Sequence, residues 1–158
     1  MASGEGEKVI STNRKARHDY EILETYEAGL VLKGTEVKSL REGQVNFKDS
    51  YASIDRGEAW LVGCHIAPYH HGTDANHDPD RSRKLLLHRR EIERLLGKVA
   101  ERGLTIVPLR LYFKEGRAKL ELGLARGKKT YDKRHALAEK QANREKQQAL
   151  GRQLKGMD

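Results

Sequence analysis

The chain has 158 residues, a formal net charge of +8, 34% charged and 37% apolar side chains. That is material for one ordinary core and an appendage, not for two domains. No apolar run approaches the roughly 18 to 20 residues that span a bilayer, and residues Met1 to Val9 mix glycine with acids instead of building an export signal. A cytoplasmic protein with no membrane role is therefore expected, and the single cysteine, Cys64, rules out an internal disulfide framework or a cysteine-based zinc site.

In chain order, residues 1–12 read as a flexible N-terminus. The basic run Asn13-Arg14-Lys15-Ala16-Arg17-His18 then leads into a strand over Tyr20 to Leu32, whose apolar phase changes near Ile22-Leu23 and so predicts a bulge or bend. A short helix is expected over Glu36 to Glu42, with Thr35 as N-cap and Gly43 as stop. Tyr51 to Ile66 reads as a hairpin turning at Asp55-Arg56-Gly57, with Trp60, Val62, Cys64 and Ile66 on one face of the return strand.

Arg89 to Arg102 carries Ile92, Leu95, Leu96 and Val99 at helical spacing and ends at Gly103. The last pair of strands is the plainest: Leu109, Leu111 and Phe113 alternate, Lys114 to Arg117 turns the chain, and Ala118, Leu120, Leu122 and Leu124 alternate on the way back. Such a set of elements predicts a mainly β (α+β) domain over residues 13–125. Its expected form is a small antiparallel β-barrel, like the oligonucleotide-binding fold, with two or three flanking helices.

Residues 126–158 are different. They hold ten Lys or Arg against four acids and few large apolar side chains. They cannot bury enough surface to offset their ordering entropy, so a basic tail disordered in isolation is expected. Good helix formers dominate residues 136–150, and in a helix Leu150, Leu154 and Met157 fall on one side.

Three chemical motifs fail on spacing. Gly123 to Thr130 has three residues, not four, between its glycines and a second Lys where a phosphate-binding loop needs Ser or Thr, which leaves Lys128 and Lys129 as phosphate contacts. His65, His70, His71, Asp74, His77, Asp78 and Asp80 suggest a metal-dependent hydrolase. They lack a His pair four apart on a helix, and Asp78-Pro79 is an ordinary turn, so a solvated loop without metal or cofactor is expected. Cys64, on an apolar strand face, reads as an inert packed thiol. No catalytic residues are assigned.

The basic clusters at 13–18 and 81–90, together with the tail, point to nucleic acid: Arg and Lys hold phosphates, and Arg and Tyr planes stack on unpaired bases. A general single-strand-binding module satisfies that pattern as well.

Five blocks carry a resemblance. They are Asn13-Arg-Lys-Ala-Arg17-His18-x-Tyr20, Tyr26-Glu27-Ala-Gly29-Leu30, Gly34-Thr-Glu36-Val37-Lys38-Ser39-Leu40-Arg41, Asp78-Pro79-x-Arg81-x-Arg83-Lys84-Leu-Leu-Leu87 and Gly123-Leu-Ala-Arg-Gly127-Lys128-Lys129-x-Tyr131-Asp132-Lys133-Arg134. In this order they closely resemble the bacterial SsrA-binding (small protein B) family from about Asn13 to His135. The resemblance implies a non-enzymatic factor of trans-translation, monomeric, whose partners are the tRNA-like domain of transfer-messenger RNA and the small-subunit rRNA of stalled ribosomes, with protein standing where an anticodon arm would be. It implies an RNA-gripping surface of Asn13, Glu27, Arg83, Lys84 and Leu86, beside the basic Arg14, Lys15 and Arg17. It also implies a tail that becomes helical in the empty message channel. There Tyr131, next to Asp132, stacks on a decoding-centre base, and Lys128, Lys129, Lys133 and Arg134 hold the backbone.

Overall fold

A computed structural model describes residues 6–71 and 76–127. Two tight turns shape its hairpins. Arg56 and Gly57 take φ of 52° and 78°, and Glu115 and Gly116 take 53° and 77°, the paired positive values of a two-residue turn whose twist matches that of its strands. The first joins β4 (Tyr51–Asp55) to β5 (Glu58–Val62), and the second joins β8 (Thr105–Lys114) to β9 (Arg117–Gly127).

The remaining elements are β1 (Glu7–Thr12), α1 (Arg14–Asp19), β2 (Tyr20–Leu30), α2 (Gly34–Arg41), β3 (Val45–Asn46), β6 (His65–Ile66), β7 (Arg83–Leu86) and α3 (Arg89–Arg102). Seven strands form an antiparallel sheet in the order β1-β8-β4-β5-β7-β2-β9, and β9 returns to pair with β8. The ring β8-β4-β5-β7-β2-β9 is thus closed, as the small barrel expected from the sequence requires. β9 occupies one edge of β8 along its length. The other edge is divided: Ala52 of β4 pairs with Ile106, and β1 pairs with Arg110 to Lys114.

The interior is filled by Leu61, Ile66, Leu85, Leu111, Leu120, Leu122 and Leu124, with Leu40 of α2 and Leu95 of α3 packed into the same cluster. Each such side chain contributes about 1.5–3 kcal/mol by leaving water. α3 ends where expected, at Gly103 with φ of 64° and its N–H on the Val99 carbonyl. On its exposed side Arg94 holds Glu24 of β2 by two nitrogens, at 2.6 and 3.2 Å.

Several expectations are corrected. Glu7–Thr12, expected to be part of a flexible lead, is a strand because β8 offers it half an edge. The basic run after it is a short helix whose only buried residue is Ala16. α2 starts two residues early: its N-cap is Lys33, whose N–H reaches Glu36 Oε1 at 2.7 Å, while Thr35 instead meets His77. The return strand does not keep Trp60, Val62, Cys64 and Ile66 on one face. Ala59 and Leu61 point inward, and Gly63, at φ of 83°, reverses the phase so that Cys64 and Ile66 are buried. β6 then leaves the barrel to pair with β3.

Leu109 is also out of phase with Leu111 and Phe113. A register shift between Pro108 and Arg110 turns Val107 and Leu109 outward, where they pack with Ala125 and Ala16 of α1 in a second small core. The bulge expected in β2 lies where the apolar phase changes, between Ile22 and Glu24. Arg126 and Gly127, expected in the tail, close β9 against Tyr20 and Glu21.

Candidate nucleic-acid interface

Strand alternation places Lys84 and Leu86 of β7, Glu27 and Gly29 of β2, and Lys119 and Glu121 of β9 on the outer side of the barrel. The register aligns them. Leu86 is opposite Gly29, Gly29 opposite Lys119 and Lys119 opposite Tyr112, while Glu27 is opposite Glu121 in the neighbouring row.

Leu86 is 55% exposed, unusual for a leucine on a central strand. Gly29 makes its position possible: a Cβ there would lie 3.2 Å from Leu86 Cβ. The leucine therefore lies over bare backbone, next to Glu27 two residues earlier on β2.

Glu27 is anchored at one oxygen. Tyr112 donates its hydroxyl to Oε2, and Lys114 Nζ is 3.6 Å from the same atom. The Tyr112 bond chiefly holds the carboxyl below its ordinary pKa, against a smaller upward push from burial and with help from Lys114 and Lys119. Burial first, then Glu27, raises that of Tyr112. The phenol is in turn covered by Arg110, whose guanidinium carbon is 4.2 Å from the ring centre. Arg110 also donates to Glu121 at 3.2 Å, as does Arg17 of α1. These bonds join the basic helix to the Glu27 row.

α1 itself hangs on Asn13. The Asn13 amide accepts from Ala16 N at 3.2 Å as the helix cap and donates to the Pro108 carbonyl at 2.8 Å. This side chain is buried, so Asn13 cannot grip RNA directly; it fixes the helix that presents Arg14, Lys15 and Arg17, all exposed. Lys15 pairs with Asp49 at 2.8 Å, and Lys84, beside Trp60 on β5, pairs with Glu58 at 2.8 Å.

Arg83 requires a second correction. It points inward, is 0% exposed, and its guanidinium is consumed by Glu36 at 2.6 Å, the Cys64 carbonyl at 2.7 Å and the Pro79 carbonyl at 3.0 Å. Arg81 clasps the other side of Glu36 at 2.6 and 2.9 Å. Burial pushes the Glu36 carboxyl upward, but Arg81, the Lys33 N–H and Arg83 together outweigh it and leave the group below its ordinary value. This network ties α2 to the start of β7 and so positions Lys84 and Leu86. Cys64 is buried beside it, and burial pushes its thiol up to about 11, the state of an unreactive packed cysteine.

Glu27, Lys84, Leu86 and Arg17 are thus drawn to one outer face, with Arg14 and Lys15 on the adjoining helix. Sequence reading missed Arg110, Tyr112, Lys114 and Lys119 around Glu27; their alternation in the final hairpin was the available signal. Lys128, Lys129, Tyr131, Asp132, Lys133, Arg134, Leu150, Leu154 and Met157 lie outside the described residues.

A family model described as "SmpB protein" matches residues 10–152. The chain belongs to the SmpB protein family. Among curated relatives of this SmpB chain, an "SsrA-binding protein" of Nocardioides sp. (strain ATCC BAA-499 / JS614) is 62% identical over 157 residues, 99% of each chain. That of Acidothermus cellulolyticus (strain ATCC 43068 / DSM 8971 / 11B) is 61% identical over 156 residues, 99% of this chain and 98% of its own. A solved chain described as "tmRNA-SmpB: a journey to the center of the bacterial ribosome" is 58% identical, with a TM-score of 0.65 over 80% of this chain and 96% of its own. No helix among the described residues is long and apolar enough to cross a membrane.

Proposed function

We propose that this SmpB protein is the RNA-binding adaptor of trans-translation. The outer barrel face binds the tRNA-like domain of transfer-messenger RNA, and the complex is delivered to stalled ribosomes with the protein in the place of an anticodon arm. Family membership supports the reading, as do the names of the relatives, which are of binding proteins. The single observation that carries it is Leu86, an exposed leucine held over Gly29 beside an anchored carboxylate.

A leucine so placed offers an apolar plate for a base or ribose. Oε2 of Glu27 faces Tyr112 and Lys114, while the other oxygen accepts donors from a base edge. Lys84, Arg17, Arg14 and Lys15 hold phosphates around this centre, after Lys84, Arg17 and Lys15 exchange the weak surface ion pairs they now make. Asn13 and Arg83 contribute by position alone. The basic segment after Gly127 is assigned to the vacant message channel of the small subunit, with Tyr131 near the decoding centre.

The test is binding of Leu86→Ala and Glu27→Ala to tRNA-like RNA, with an unstructured oligonucleotide as competitor. Both variants should lose affinity for the folded RNA while keeping the parental circular dichroism, and affinity should fall steeply with salt as phosphate counterions are displaced. Unchanged affinity at both positions removes this surface, and equal competition by the oligonucleotide favours a general single-strand binder. Truncation after Gly127 should spare RNA binding and abolish tagging on stalled ribosomes; tagging by the truncated protein would refute the division of labour.

A further inference from the structure

The histidines after β5 are dealt to different places. His77 is buried and committed: Nε2 donates to the Ile66 carbonyl at 2.8 Å, and Nδ1 meets Thr35 Oγ1 at 2.8 Å. His65 pairs with Asp80 at 2.8 Å. His70 and His71 are exposed and converge on Glu42, the residue that ends α2, so that one ligand atom from each of the three lies within 4.8 Å of the others. We propose that Glu42, His70 and His71 form a surface site for a divalent transition-metal ion of the zinc class, with a fourth position left to water.

The spacing suits the ion. Two donors each about 2.0–2.1 Å from a tetrahedral Zn²⁺ are about 3.3–3.4 Å apart, and His70 Nδ1 is 3.3 Å from Glu42 Oε1. Neighbouring side chains in a strand point to opposite faces. Here a turn brings the rings of His70 and His71 to 3.9 Å between centres, with one nitrogen of each within 4.8 Å of the other and of a Glu42 oxygen. Two imidazoles and a carboxylate select zinc-like ions over Ca²⁺ or Mg²⁺, which favour all-oxygen shells.

The ligands are also carried on a prepared frame. Ser39 Oγ donates to the Ala67 carbonyl at 2.7 Å, and Ala67 N donates to the Gln44 carbonyl at 3.0 Å, stitching the end of α2 to the segment before Tyr69. Asn76 brackets Tyr69, accepting from its N–H at 3.2 Å and donating to its carbonyl at 2.9 Å. Glu42 and His70 are thereby apposed by bonds that do not involve the metal, so binding need not order both segments from scratch. The third ligand lies 28 residues upstream of His70, so spacing within the loop alone argues for solvent.

Untagged, chelator-stripped full-length protein should be titrated with ZnCl₂ by calorimetry and with CoCl₂ by visible absorption. One equivalent should bind. Affinity should fall at least about tenfold in Glu42→Gln and be lost in His70→Ala/His71→Ala, while His65→Ala binds as the parent does; all variants should keep the parental circular dichroism, because the ligands are exposed. Absence of saturable binding, binding that survives the double His change or is undiminished in Glu42→Gln, or loss of binding in His65→Ala would overturn the proposal.

Discussion

The Tyr112 hydroxyl of β8 reaches past β9 to donate to Oε2 of Glu27 on β2. This bond bridges two strands that are not neighbours in that row, and it holds the carboxylate at the centre of the candidate RNA surface in a single orientation.

Tyr112→Phe should therefore move Glu27 without touching its charge. The carboxyl should titrate nearer its ordinary value, seen by NMR, and stability at neutral pH should fall by about 1 to 2 kcal/mol. The sign follows from the depressed pKa: the contribution is present above the ordinary carboxylate value and disappears as pH falls through the folded one. Affinity for tRNA-like RNA should drop with it, and an RNA affinity unchanged by the substitution would mean that the orientation of Glu27 is irrelevant to binding.

Arg94 and Tyr26 hold the Glu24 carboxyl down at about 2. Arg94→Ala should be less stable than the parent at pH 7. The gap should persist to about pH 4.5, where the unfolded chain starts to take up protons, and close as pH falls toward about 2. Urea melts across that range provide the check; a gap independent of pH would assign the loss to packing of the Arg94 stem.

Arg83→Met should destabilise by about 3 kcal/mol or more, because Glu36 and the carbonyls of Cys64, Pro79 and Asp78 lose their donor. Arg81→Ala should cost less, its side chain being partly solvated. If chemical denaturation ranks the two the other way, the inner guanidinium is not what holds α2 to β7.

Gly123 stands where the second core needs a flat strand. A Cβ there would lie 2.9 Å from Leu109 Cδ1 and 3.1 Å from Ile22 Cγ2. Gly123→Ala should cost about 1–3 kcal/mol by overpacking, with amide shifts by NMR concentrated in α1 and the second core.

What could be read from the sequence is what leaves a local mark. The β2 bulge shows as a slip in apolar phase at Ile22-Leu23, the hairpin turns as Arg56-Gly57 and Glu115-Gly116, and α3 as a four-residue apolar stripe closed by Gly103. What could not be read depends on distant partners. β1 exists because of β8, some hundred residues later, and α1 buries only one alanine. Arg83 looks like surface until Glu36 is seen beside it, and Leu109 keeps the strand pattern while facing the other way. For the RNA surface, Glu27 and Leu86 came from family likeness; the reason Leu86 stands exposed lies in its glycine neighbour across the strand.

The divided edge of β8 has a bearing on how the molecule is made. Among the described residues, the first two strands, β1 and β2, find their long partners in the last two, β8 and β9. Pairings so far apart in the chain are slow to form, and none of these can begin until the final hairpin has left the peptide exit. The barrel therefore closes only once β8 and β9 are clear of the ribosome.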